Sequence, residues 1–388
     1  MKTFFLLLFI SFSAQAQFEK VDELIQQRQY SDAFNMLLKL DPKNEDPEAL
    51  RRKIDICIDN YIMSIGHQMF ALKNLKHGEE VDKLRGREGS YDMFSLDVPE
   101  LSAPLMDKFP KNYQLKFAVG RYYHSMHLNC GDCTMSRADC ISEFQRLFEE
   151  CYKHGVYDYF SAYGIAYAKV NNQQFKESIP YFLKSIELND EYPSSHYNLA
   201  YAYLYIDDRE NCIKYAQNAF DRYDYPSYKA DAAKMIATAY SELEDHDGAY
   251  KYYSIANEVN PGDYYVLAPL MSLNLFLKKG NIEELRDAFF EIDPDNPTIY
   301  QDLIYAYYDY GDINDLLKYF ESLKSKYKQD HAVLGNLYFF TGKINSEEGN
   351  LQKGKEYLQT AKDEFLKVYS KDHQVFGVID QLLEQLDK

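Results

Sequence analysis

An all-α chain of antiparallel helix pairs is the fold class this sequence predicts, and three observations predict it. Small and apolar positions recur in register, Ala166 with Ala200, Ser178 with Cys212, Phe182 with Ala216 and Ser185 with Ala219, at an offset of 34 residues. Amphipathic stretches of helical length are separated by short turns such as Gly280-Asn281 and Gly311-Asp312 and closed by prolines such as Pro261. Tyrosine and phenylalanine are heavily used (37 and 24 residues) against 17 glycines, 12 prolines and no tryptophan, a balance that suits helices packed through aromatic rings.

The 388 residues, 46% hydrophobic and 27% charged, are ample for a large core or a long repeat array. A net charge of −18 leaves no basic stripe to release counterions from a phosphate backbone, which argues against nucleic acid, and it equally disfavours an anionic membrane surface.

At the N-terminus, Lys2 followed by the apolar run Phe4 to Phe12 and by Ala14-Gln15-Ala16 has the order of a cleavable signal peptide, residues 1–16. The run is too short to span a bilayer, and the first cysteine, Cys57, is too far on to carry a lipid anchor. The segment resembles the signal peptides of Bacteroidota. An exported protein, periplasmic or secreted and without membrane insertion, is expected.

The register from Tyr159 onward resembles the tetratricopeptide repeat (TPR) family. The clearest unit starts near Lys229, where Ala237, Tyr240, Ala249, Tyr253, Ala256 and Pro261 match the family's alternation of small and aromatic residues ending in proline. Small side chains let two helices approach, aromatic rings fill the space beside them, and stacked units complete each other's cores. Weaker units follow: one at Asp263–Pro294 with a short second helix, and one from Asn296 with Leu303, Tyr307, Gly311, Leu316 and Phe320 in place. Gly349 to Val368 supplies a further second helix, and His373 to Leu386 reads as an amphipathic cap. The resemblance implies a right-handed α-solenoid over residues 158–388, preceded by a divergent helical region, 17–157, in which Tyr30, Ala33 and Pro42 mark one degenerate second helix.

Within that region, Asp46-Pro47 opens a helix expected to run to about Leu75, with Ile54, Ile58, Tyr61, Ile62 and Ile65 on its apolar side. Gly78 to Pro104 reads as a long irregular connection, and helices resume at Leu101–Phe109 and Asn112–Asn129.

One cluster has chemical potential. His124, His127, Cys130 and Cys133 are followed by Cys140, Cys151 and His154. Imidazole and thiolate suit zinc or another soft metal, but local cysteines in an exported protein more often form disulfides. Disulfides are therefore expected among Cys130, Cys133, Cys140 and Cys151, with no metal or other cofactor. The preferred pairing is Cys130 and Cys133 with Cys140 and Cys151, and the alternative is Cys133 with Cys140. Cys57 and Cys212 read as buried small apolar residues.

Two motif-like strings fail on chemistry. Gly349 to Lys355 spells a phosphate loop, but Glu356 replaces the needed hydroxyl, so the segment reads as a repeat helix. Asp245-His246-Asp247-Gly248 imitates part of a calcium loop, but Leu243 and Ser254 stand where acidic ligands belong, so it reads as an inter-helix turn.

No catalytic motif is present, and a non-enzymatic interaction scaffold is expected. In TPR proteins the first helix of each unit lines a concave groove. The resemblance carries that role onto Tyr163, Tyr167, Tyr197, Tyr201, Tyr305 and Tyr308, a tyrosine-rich face for a protein or peptide partner. The family's carboxylate clamp is not matched, since Tyr163, Tyr167, Tyr197 and Tyr201 hold its main places. The alternatives are a carbohydrate-binding protein, because tyrosines also stack on sugars, and a metal or redox protein using the His124 to Cys151 cluster.

Overall fold

The computed structural model describes residues 17–387, so the expected signal peptide at 1–16 lies outside the described residues. The chain divides into two compact units, one ending at Ile206 and the other beginning at Asp207. The boundary read from the sequence, at 157/158, falls inside the first unit.

The first unit contains α1 (17–26), α2 (Tyr30–Leu40), α3 (Pro47–Asn60), α4 (Val81–Leu84), α5 (Val98–Lys108), α6 (Tyr113–Asn129) and α7 (Arg137–Lys153). It ends with α8 (Tyr159–Asn171), α9 (Phe175–Leu188) and α10 (Pro193–Tyr205). Helix starts are chemically marked. Asp46 accepts from the amides of Glu48 and Ala49 with Pro47 in the first turn, and Asp158 forms a reciprocal capping box with Ser161.

The expected long helix to Leu75 does not form. α3 stops at Asn60, and the chain turns into an antiparallel sheet of β1 (Met63–Ile65), β2 (Met69–Leu72) and β3 (Asp92–Ser95) in that order. Gly66 and His67 both adopt positive φ, a tight turn that sets Met63 opposite Ala71 and Ile65 opposite Met69. Phe70 and Phe94 pair across the sheet, and Phe94 meets Phe34 of α2 at 4.5 Å between ring centroids. The core takes Phe70, Ala71 and Leu72 of β2 and Phe94 of β3, while Met63 and Ile65 are exposed on β1, although the apolar spacing put Ile65 on a helix face.

The stretch from Gly78 to Pro104 is also more ordered than expected, since it holds α4, β3 and the start of α5. Pro99 sits in the first turn of α5, where its missing N–H has no partner to lose.

The second unit contains α11 (Arg209–Arg222), α12 (Pro226–Glu242), α13 (His246–Val259), α14 (Tyr264–Leu277) and α15 (Ile282–Phe290). It continues through α16 (Pro297–Tyr310), α17 (Ile313–Lys326), α18 (His331–Glu347), α19 (Leu351–Phe365) and α20 (Gln374–Leu386). This is the predicted all-α, TPR-like succession of helix pairs. Ala237 of α12 and Ala249 and Ala256 of α13 are fully buried at their crossing, as the small-residue register requires. Asp245 caps α13 by accepting from the Gly248 amide at 2.9 Å, so the calcium-like string is an inter-helix turn. The turn before it uses Glu244 at φ 59°, and the turn between α8 and α9 uses Gln173 at φ 57°, left-handed positions filled without glycine.

Candidate functional site

The His and Cys cluster resolves into separate environments. The His124 ring on α6 lies 4.8 Å from Phe144 and 4.4 Å from Phe160, and His127 lies 5.6 Å from Tyr167. Burial drives the His124 imidazole down to about 3 and lowers that of His127, so both are neutral members of an aromatic core. His154 stacks on Tyr113 at 4.0 Å. Among the described residues no group of three or more His, Cys, Asp or Glu is placed to hold a metal ion.

Cys130 and Cys133 form a disulfide with Cα atoms 5.8 Å apart. Cys140 and Cys151 do not pair. Both are free thiols buried on α7, Cys151 donates to the Tyr113 carbonyl at 3.4 Å, and burial raises both, Cys151 to about 12. The expected second disulfide is therefore corrected: α7 projects these thiols, three helical turns apart, into packed surroundings. Intact-mass analysis is expected to show about two hydrogens fewer than the reduced chain, and alkylation of Cys140 and Cys151 should require unfolding.

The first-helix tyrosines fall into distinct groups. On α8, Tyr163 stacks near Tyr167 at 6.0 Å, meets Tyr192 edge-on at 5.2 Å, and accepts a hydrogen bond from the Asn198 amide of α10 at 3.3 Å. On α10, Tyr197 is half-buried, and Tyr201 lies 4.6 Å from Tyr205, whose ring stacks on Phe175 at 4.6 Å. Its hydrogen bond with Tyr205, then burial, pushes the Tyr201 hydroxyl up to about 12. Tyr192, Tyr205 and Phe175 were not singled out from the sequence. Tyr205 continues the four-residue spacing of Tyr197 and Tyr201, but Tyr192 is the N-cap residue of α10, outside the helix, and Phe175 opens a second helix, where the first-helix rule does not look.

In the second unit Tyr305 is 63% exposed and lines a groove of about 230 Å³ between α14 and α16, together with Pro269, Ser272, Asp302, Asp309 and Tyr310. Asp302 accepts from the Tyr264 hydroxyl at 2.5 Å. Tyr308 points elsewhere: its hydroxyl donates to Glu347 of α18 at 3.4 Å, and burial together with that carboxylate pushes it up to about 12. Tyr305 and Tyr308, grouped from the sequence, thus serve different surfaces. Among the described residues no helix is long and apolar enough to cross a membrane.

No family model matches the chain, and no curated protein matches it. Similar solved structures include a tetratricopeptide repeat protein from Parabacteroides merdae, 13% identical over 71% of this chain and 99% of that one, with a TM-score of 0.39. They also include MamA from Desulfovibrio magneticus, 16% identical over 45% of this chain and 92% of that one, TM-score 0.36. A third is YrrB, described as a TPR protein with an unusual peptide-binding site, 15% identical over 59% of this chain and 94% of that one, TM-score 0.34. What those proteins bind says nothing of what this chain binds.

Proposed function

We propose that the chain is a non-enzymatic scaffold, acting outside the cytoplasm, that holds an extended basic segment of a protein partner against its tyrosine-lined first helices. The observation that carries this reading is the α14–α16 groove. Tyr305 leaves a large ring exposed, and Asp302 and Asp309, three residues before it and four after, share its helix face. An aromatic face flanked by carboxylates suits a lysine or arginine, which gains cation–π attraction and charge-assisted hydrogen bonds together. The net charge of −18 favours approach of such a segment over long range. The Tyr163, Tyr167 and Tyr192 cluster offers rigid amphipathic rings for further contacts in the first unit. The disulfide at Cys130–Cys133 supports an oxidising compartment.

A partner captured from the native source is expected to bind Tyr305→Ala about 2 kcal/mol more weakly than the parent, with Asp302→Asn and Asp309→Asn lowering the association rate in a salt-dependent way. Calorimetry and stopped-flow measurement would check both. Unchanged affinity in Tyr305→Ala, with the helical spectrum intact, places the interface elsewhere.

A further inference from the structure

A cleft of about 780 Å³ opens in the second unit where α14, α15, α16 and α17 meet, adjoining the first-helix groove described above at Tyr310 but not lined by Tyr305. Its wall carries one side chain with an unmet buried donor, Arg286, beside the buried amide of Asn274. Asn274 of α14 lines the cleft and is 3% exposed. Gly280, at φ +68°, lets the chain pass close to that amide, since a Cβ there would stand 3.0 Å from the Asn274 nitrogen and 2.5 Å from the Tyr250 hydroxyl. Arg286 of α15 donates through Nη1 to the Tyr307 hydroxyl at 3.1 Å and lies 3.8 Å over the Tyr319 ring. Its Nε is buried without an acceptor, and no carboxylate of the described residues pairs with it. The contrast is informative, because Arg52 pairs with Asp22 and Arg121 with Asp55 and Asp59. Native structures seldom leave buried polar groups unmatched, and a bound molecule is one ordinary reason for an exception.

The lining defines the chemistry of that molecule. A guanidinium held rigid by two tyrosines calls for an anion, and Lys278 adds positive charge at the same cleft, whereas Lys318 is paired with Asp315 at 2.9 Å. Glu283, Asp312 and Asp315 also face it, so a multiply charged ligand such as a phosphate ester meets repulsion, whereas hydroxyl groups find acceptors. The Asn274 amide both donates and accepts, as a hydroxyl does. Leu275, Ile282 and Tyr310 supply apolar surface for the carbon face of a ring. We propose that this cleft binds a polyhydroxylated monocarboxylate of the sugar-acid class, with its carboxylate on Arg286 and a hydroxyl on Asn274.

Calorimetric titration of the intact chain with sodium glucuronate, glucose and glucose 6-phosphate tests this. Glucuronate is expected to bind saturably, with glucose and glucose 6-phosphate each at least about tenfold weaker. Arg286→Gln should weaken glucuronate binding at least about tenfold, because hydrogen bonds to a charged group are lost. Arg286→Lys, which keeps the charge but loses the planar fork, should also weaken it and serves if the first variant fails to fold. Tyr305→Ala should bind glucuronate normally, which separates this site from the peptide groove. Absence of saturable glucuronate binding overturns the proposal. So do equal binding of either comparison sugar and undiminished binding in a folded Arg286 variant.

Discussion

Lowering the pH from 7 to 4.5 is expected to remove on the order of 5 kcal/mol of stability from the first unit, through two buried histidines. His67, in the β1–β2 turn, is fully buried, hydrogen-bonds Ser125 at 3.1 Å, and has its imidazole pushed down to about 4 by burial. His124 is pushed to about 3 among Phe144, Phe148 and Phe160. Both folded values lie below the unfolded one near 6.5, so the unfolded chain binds more protons in this window. Stability therefore rises with pH between the folded and unfolded values and is lost as pH falls below about 6.5, each group contributing about 2.7 kcal/mol over two pH units. Glu149, which burial raises but hydrogen bonds from Lys169 and Gln145 together with the Lys169 charge bring below the usual carboxylate range, loses stabilisation at still lower pH, while Asp55, raised by burial, opposes the trend. Hydrogen exchange of the α6 and α7 amides, followed by mass spectrometry across this range, reads the effect locally. His124→Phe, matched to its aromatic surroundings, should flatten the slope by about one proton. A slope unchanged in that variant would remove His124 from the account.

The repeat half of the chain was legible because its signal is redundant. Ala237, Ala249, Ala256 and Pro261 state the same helix crossing several times over, and even the short second helix of the looser unit appears as the nine-residue α15. The region from Tyr61 to Ser95 was not legible, because Ile58, Tyr61, Ile62 and Ile65 satisfy a helical spacing by coincidence. The deciding signal was the turn at Gly66-His67, and half of it rests on a histidine in a left-handed conformation, which composition does not announce.

Site residues were legible only as far as the repeat register reaches. It places Tyr163 and Tyr167 on one face of α8, but it does not reveal that Tyr308 is drawn towards Glu347 while Tyr305 stays exposed between carboxylates. Asn274 and Arg286 lay beyond sequence reasoning for a related reason. Each looks like an ordinary polar residue of a helix, and only the convergence of four helices brings both to one cleft and buries the Arg286 Nε without an acceptor. For the cysteines, local spacing favoured two disulfides, and α7 kept one pair of thiols apart.

Gly342→Leu and Gly354→Leu are each expected to destabilise the α18–α19 pair by about 3 kcal/mol or more, among the largest effects of any single side chain outside the aromatic cores. These helices cross where glycine faces glycine. A Cβ on Gly342 would stand 3.0 Å from the Leu358 amide nitrogen and 3.1 Å from the Gly354 carbonyl oxygen, and one on Gly354 would strike the Ser346 hydroxyl and crowd the Gly342 carbonyl. The obstacles on the Gly342 side include backbone, so no rotamer change makes room and the helices must separate. Separation would also lift Leu358, Ala361 and Phe365 out of their shared cluster with Phe376 and Ile379 of α20, so the cap should loosen with the pair. The phosphate-loop resemblance finds its physical meaning here: Gly349 supplies a turn at φ +82° and Gly354 the close approach, with no phosphate involved. Gly377→Ala in α20 is the internal control, since a Cβ there meets nothing within 4 Å and the position is exposed. It should stabilise by roughly 0.5–1 kcal/mol through helix propensity alone. Chemical denaturation of the three variants checks the contrast, and a Gly342→Leu protein as stable as the parent would show that α18 and α19 do not cross at these glycines.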